Sequence, residues 1–227
     1  MDSIGPMRAF IAVLSLALLA SVPAGAADPL ADQDEGAPAD AAAAKKTPAA
    51  DAPAATPVEA PFGLKWGMHL NDLDGLGVKI NSTSKSGNLT IVNAKTMAQA
   101  FPDTATVNML FDNQAGLVKV RWISAAVSDD LDGTKGRVKY GEMKKLVIQN
   151  RGNPSDETMV VGARLFDQED EFYQCLSYDG CGVWSSLWEQ KPSGGVLLSI
   201  EGEGPGKGFV QVDYESADWQ KVAGGAK

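Results

Sequence analysis

Along the chain, apolar positions fall into three regimes. Ala9–Ala20 (AFIAVLSLALLA) is an apolar run of 12 residues broken only by Ser15. Residues 27–61 show no apolar period at all. From Phe62 onward, strand-like alternation dominates. Val107, Met109 and Phe111 alternate on one face, Asp112–Gly116 supplies turn chemistry, and Val118, Val120 and Trp122 alternate again, which predicts a β-hairpin. Downstream, Trp184 and Trp188 share a face, Pro192-Ser193-Gly194-Gly195 makes a turn, and Val196, Leu198 and Ile200 follow. A glycine-rich turn over 202–208 then leads into Val210, Val212 and Tyr214, so three consecutive strands form an antiparallel meander.

Helical spacing is rarer. Tyr140, Met143, Leu146, Val147 and Asn150 lie on a helix that ends at Gly152, with Pro154 beyond. A shorter helix is predicted over His69–Leu76, and Lys95–Ala100 is ambiguous. Runs of antiparallel strands with segregated helices indicate an α+β fold: antiparallel meanders with two helices. Two arrangements remain open, tandem helix-plus-sheet units (62–132 and 133–222) or one sheet crossed by both helices.

The apolar run changes the picture first. Arg8 precedes it and Ala24-Gly25-Ala26 follows, the order of a secretory signal peptide (1–26) cleaved after Ala26. At about 1.5 Å per residue the run covers about 18 Å, too little for a hydrocarbon core of about 30 Å. No later run is long and apolar enough for a transmembrane segment, so the mature protein is expected to be periplasmic or secreted. Residues 27–61 hold 14 Ala, 6 Pro, 7 acids and 2 Lys without an aromatic, a composition that predicts a disordered linker. A folded domain over 62–222 and a short disordered tail over 223–227 complete the expected organisation.

Charge and composition then exclude classes of function. The formal charge of −9 resolves into −5 on the linker and −4 on 62–227, which excludes a nucleic-acid binder with a basic footprint. One histidine and two cysteines build neither a Cys/His zinc site nor a cysteine-ligated cluster, and no cofactor is expected. No G-x-S-x-G elbow and no phosphate-binding glycine loop occurs, and His69 is assigned a structural role.

The candidate chemistry is correspondingly sparse. Cys175 and Cys181 flank a Ser/Asp/Gly turn and are expected to form a structural disulfide across a tight hairpin, contributing about 1.5–2 kcal/mol for so short a loop. Ser128–Gly133 (SDDLDG) resembles the start of a calcium loop, but the twelfth position is Lys139 where a bidentate acid is needed, so an exposed acidic turn is expected. Asp167, Glu169, Asp170 and Glu171 form the densest acidic run. They are read as a solvated loop, and alternatively as a face for a basic partner or, with Asp179, a source of paired glycosidase carboxylates. Trp184 and Trp188 are expected to fill core; on a solvent-exposed sheet face, with Tyr178, they make the candidate anchor patch for a protein or glycan.

The opening Phe62-Gly63-Leu64-Lys65-Trp66-Gly67-Met68, with Leu76-Gly77-Val78, resembles that of uncharacterised exported proteins of Gram-negative bacteria. The similarity extends through Gly116–Trp122, Asp132–Gly136 and Arg151–Pro154. More remotely, the G-M-x-x-x-D-L helix followed by a meander is similar to the small lipoprotein of the outer-membrane β-barrel assembly machinery and to the tandem β-lactamase-inhibitory protein fold. Those families bind proteins, so the resemblance implies a protein-binding module without catalytic residues, with a partner in the cell envelope and an inhibitor, immunity or assembly role. The alternative is a carboxylate-based hydrolase of envelope glycans or peptides.

Overall fold

The structure, a computed structural model, describes residues 59–190 and 194–225. The signal peptide over 1–26 and the linker up to residue 58 lie outside the described residues, as do Pro192 and Ser193 of the predicted turn and the last two residues of the tail. Eight antiparallel strands form one sheet: β1 (Lys79–Ser86), β2 (Leu89–Thr96), β3 (Thr104–Asp112), β4 (Gly116–Ser124), β5 (Asp156–Val160), β6 (Val183–Gln190), β7 (Gly194–Gly204) and β8 (Lys207–Glu215). Their spatial order is β1-β2-β3-β4-β8-β7-β6-β5. Each half of the sheet is thus a four-stranded meander, and the two meet only where β4 pairs with β8. Tandem meanders and a single sheet coexist in this α+β fold.

Helices form where the strand period lapses. Helix α1 (Thr134–Arg151) buries Tyr140, Met143 and Val147, and Gly152 caps it by donating its N–H to the Ile148 carbonyl. Helix α2 (Phe172–Ser177) follows a 3-10 turn at Glu169–Glu171, and α3 (Trp219–Gly225) closes the described chain. Near the start, the expected helix over His69–Leu76 is only a single 3-10 turn, Leu70–Leu73. Two glycines, Gly75 and Gly77, both with positive φ, stop it after one turn. Of the ambiguous 95–100 segment, Lys95 and Thr96 finish β2 and the rest is a turn.

Register decides which side chains share a face. Val120 lies opposite Tyr214 and Trp122 opposite Val212, continuing the apolar row into Val196 and Leu198 on β7. On the other half, Trp122 pairs with Val107 and Val120 with Met109. This face is the core. It is covered by Leu64 and Leu73 from the N-terminal segment and by the buried face of α1. The Trp188 indole donates to the carbonyl of Gly152 at 2.9 Å, holding the end of α1 on β6.

Helix α2 docks through missing side chains. Gly202 on β7 and Gly208 on β8 are register partners, and a Cβ on Gly202 would lie 2.0 Å from the carbonyl oxygen of Tyr173. A Cβ on Gly136 would lie 2.1 Å from the Tyr173 hydroxyl. That hydroxyl donates to Asp130 at 2.8 Å, and the same carboxylate accepts the backbone N–H groups of Lys135 and Gly136 in the first turn of α1. The segment 128–133 is therefore not simply an exposed acidic turn: Asp130 is buried and bonds the first turn of α1, while Asp129 and Asp132 face solvent. The glycines over 202–208, expected as a hairpin turn, are mostly strand, and Gly202 and Gly208 make room for α2.

The opposite face of the β4–β8 join carries charge. Asp213 accepts two hydrogen bonds from the Arg121 guanidinium, at 2.6 and 2.8 Å, and a third contact from Lys119 at 2.8 Å. Lys119 also reaches Glu215 at 2.8 Å, and its ammonium sits 4.9 Å from the Trp219 ring of α3. Burial pushes the Asp213 carboxyl up, but Arg121 and Lys119 outweigh it and hold it below the ordinary carboxylate range.

Three outcomes follow from this packing. A carboxyl depressed in the folded state contributes stability that is fully present above its unfolded value of about 3.9 and lost as the pH falls through the folded value. Urea unfolding should show Asp213→Ala costing about 3–5 kcal/mol at pH 7, with the difference shrinking towards pH 2; a difference independent of pH would contradict this electrostatic account. Gly202→Ala should destabilise by about 1–3 kcal/mol through overpacking. Gly141→Ala, at a helical position where the added Cβ meets nothing beyond its own helix backbone within 4 Å, should stabilise by about 0.5–1 kcal/mol.

Candidate functional site

The two cysteines organise one corner of the molecule. Cys175 on α2 and Cys181 in the turn before β6 form a disulfide, with Cα atoms 5.1 Å apart and both residues fully buried. The hairpin anticipated from the sequence is replaced by a helix end: the Tyr178 N–H returns to the Cys175 carbonyl, and the Cys181 N–H to the Tyr178 carbonyl. The Phe172, Tyr173 and Cys175 side chains point inward with the spacing of a short helix, a signal hidden by the turn chemistry after it.

This disulfide braces the chain leaving β5. The Gly162 N–H lies 3.1 Å from Cys175 Sγ, and the Ala163 N–H donates to the Cys181 carbonyl at 2.9 Å. Gly182 lies beneath the end of β5: a Cβ there would sit 2.8 Å from both Cys175 Sγ and the Val160 carbonyl oxygen. On the outside of the brace lie Met159, Val160, Val161, Leu165, Tyr178 and Val183, six of the twelve exposed large apolar side chains among the described residues. Val160 and Val183 are register partners, and Phe166 packs edge-on against Tyr178 with ring centroids 5.8 Å apart. Scattered apolar side chains are ordinary on a protein surface; here half of the exposed large ones among the described residues lie on β5, the chain leaving it and the segment from Tyr178 to Val183.

Trp188 does not contribute to that surface, which corrects its place in the candidate patch, while Trp184 lies opposite Met159 as its register partner. Trp188 is 3% exposed and belongs to the core. Trp184 is half-buried, with its ring 5.5 Å from that of Phe172 and the Arg137 guanidinium 5.6 Å from its centroid. Both lie on the core face because that face continues across β6. Of the aromatic trio Tyr178 is the one that is half exposed.

The acidic run is divided by local bonding. The Glu171 carboxylate accepts the Gln168 N–H at 3.2 Å, closing its own 3-10 turn, and Asp167 accepts from the Gln168 amide at 2.8 Å. Glu169 and Asp170 line a cleft of about 570 Å³ shared with Asp129, Asp132, Pro205 and Gly206. Two acidic segments far apart in sequence thus meet across one opening. Among the described residues no group of three or more His, Cys, Asp or Glu is arranged to hold a metal ion. His69 is placed at the first 3-10 turn, where its N–H donates to Asp72 at 2.7 Å.

A buried polar chain links α1 to β5 and β6. Tyr140 and Ser186 share a hydrogen bond of 2.6 Å, the Ser186 hydroxyl contacts Glu157 at 2.6 Å, and Lys144 pairs with Glu157 at the surface. Desolvation lifts the Tyr140 phenol to about 12, so it is neutral at physiological pH. Ser186 has no exposed surface, so this chain fastens the helix to the sheet and offers no nucleophile to solvent. No family model, curated protein or solved structure matches the chain.

Removing the brace by replacing both cysteines with alanine should lower stability by about 2 kcal/mol. It should also speed amide exchange at Gly162 and Ala163 more than in α1, as read by NMR. Unchanged exchange at those two amides would show that the disulfide does not hold the β5 exit.

Proposed function

We propose that this chain is an exported, non-enzymatic protein-binding module of the bacterial cell envelope, of the inhibitor, immunity or assembly kind. Its partner docks on the disulfide-braced corner. The observation that supports this reading is the apolar corner itself: Val160, Val183 and Leu165 are each about half exposed and stand on a strand pair and loop held by covalent and backbone bonds. A surface already rigid before binding loses little entropy on docking, which favours affinity. The signal-peptide pattern at the N-terminus and the disulfide both suit an oxidising compartment. Across the described residues no helix is long and apolar enough to cross a membrane.

The test is site-specific crosslinking in intact cells. A photoreactive side chain at position 165 should capture a discrete envelope protein, and the same probe at Leu131, an exposed apolar residue on a different loop, should not. The double substitution Val160→Glu with Val183→Glu should keep the melting temperature within a few degrees and abolish the adduct. Equal capture from both positions, or full capture by the folded double variant, would contradict the proposed surface.

A further inference from the structure

The two edges of the sheet are built differently. At one edge β1 (KINSTSKS) carries Lys79 and Lys85, has register irregularities next to Ile80, and is exposed at every position. Edge lysines and bulges are the devices by which proteins discourage strand addition. At the other edge β5 (DETMV) has neither: no lysine, no proline within the strand, and unbroken register with β6 over all five pairs. Alternate residues of an edge strand direct N–H and C=O groups away from the sheet. Here those groups are flanked by Met159 on one face and Val160 on the other.

We infer that β5 is an open docking edge that receives an extended segment of the partner as a ninth, antiparallel strand, apolar at its centre and basic at both ends. This rests on the protein-binding reading above and specifies its chemistry. The apolar centre follows from Met159, Val160 and Val183. The basic ends follow from charge: exposed Asp156 lies at one end of β5 and exposed Asp167 and Asp179 beyond the other, and among the described residues none of the three is in an ion pair. Arg164, the one basic side chain between residues 152 and 190, lies beside Gly180 at the Asp167 and Asp179 end, and Lys144 is taken up by Glu157, so both ends stay net acidic. The same charges argue against a second copy as the occupant. An isologous β5–β5 pair would bring the Asp156 end of one copy against the Asp167 and Asp179 end of the other, opposing like charges. Binding by strand addition places affinity in main-chain hydrogen bonds and selectivity in the flanking side chains.

The probe is the capped peptide KKVVTVKK, titrated by fluorescence anisotropy into the mature chain. It should bind, and EEVVTVEE should bind about tenfold more weakly or worse. Two N-methylated forms, methylated at odd or at even positions, carry the same loss of strand propensity but block opposite edges of the peptide. One series should lose affinity by about tenfold or more, since two or three main-chain hydrogen bonds are removed, while the other is retained. Retention of both series by a chain that still needs Val160 and Val183 would overturn strand addition and leave the docking corner standing. Failure of KKVVTVKK to bind, or equal binding of the acidic peptide, would overturn the inferred chemistry whatever the crosslinking result.

Discussion

The structure depends on one strand pair. Each meander holds itself together by short turns, but the halves touch in the sheet only along Lys119–Ile123 and Gln211–Glu215. On one side of this pair Trp122, Val120, Val212 and Tyr214 form the centre of the core; on the other, Asp213 draws Arg121 and Lys119 across the join. A slip of one residue would place Asp213 on the same face as Trp122. Each alternative register therefore costs a buried unpaired charge as well as apolar burial, and the two faces specify one answer together. Buried ion pairs add little net stability when whole, so the cluster serves register more than strength.

From this join, position propagates outward to the edges. The β7–β8 hairpin that carries the join also presents Gly202 and Gly208, on which α2 lies, and α2 carries Cys175. The disulfide in turn fixes the Val161–Leu165 loop and the last residue of β5. The apolar corner is thus tied to the central pair through a glycine platform, a short helix and a covalent bond. The β5 edge at the end of such a chain of contacts is held stiffly.

The strands with clean alternation, β3, β4, β7 and β8, were legible because one face is apolar at every second position, and α1 because its apolar residues recur every three or four. β1 was hidden because all its positions are exposed and it carries no alternation. α2 was hidden because it is shorter than two turns and its glycine docking platform lies thirty residues away in sequence. The cysteine pair was legible as a bond, but the helix beneath it was not. The tryptophans illustrate a limit of period-two reasoning: it places Trp184 and Trp188 on one face, and only the packing of α1 and α2 shows that this face is the core. The corner proposed for docking carries no motif: Met159, Val160 and Val161 stand apart only once both sheet edges are compared.

Native-state hydrogen exchange measured residue by residue tests the central claim, that the β4–β8 pair governs the fold. The slowest amides should be those of Lys119–Ile123 and Gln211–Glu215, exchanging only through global unfolding, with protection falling towards β1 and β5. If the interior pairs of either meander outlast the join, so that the halves open as independent units, the account is contradicted.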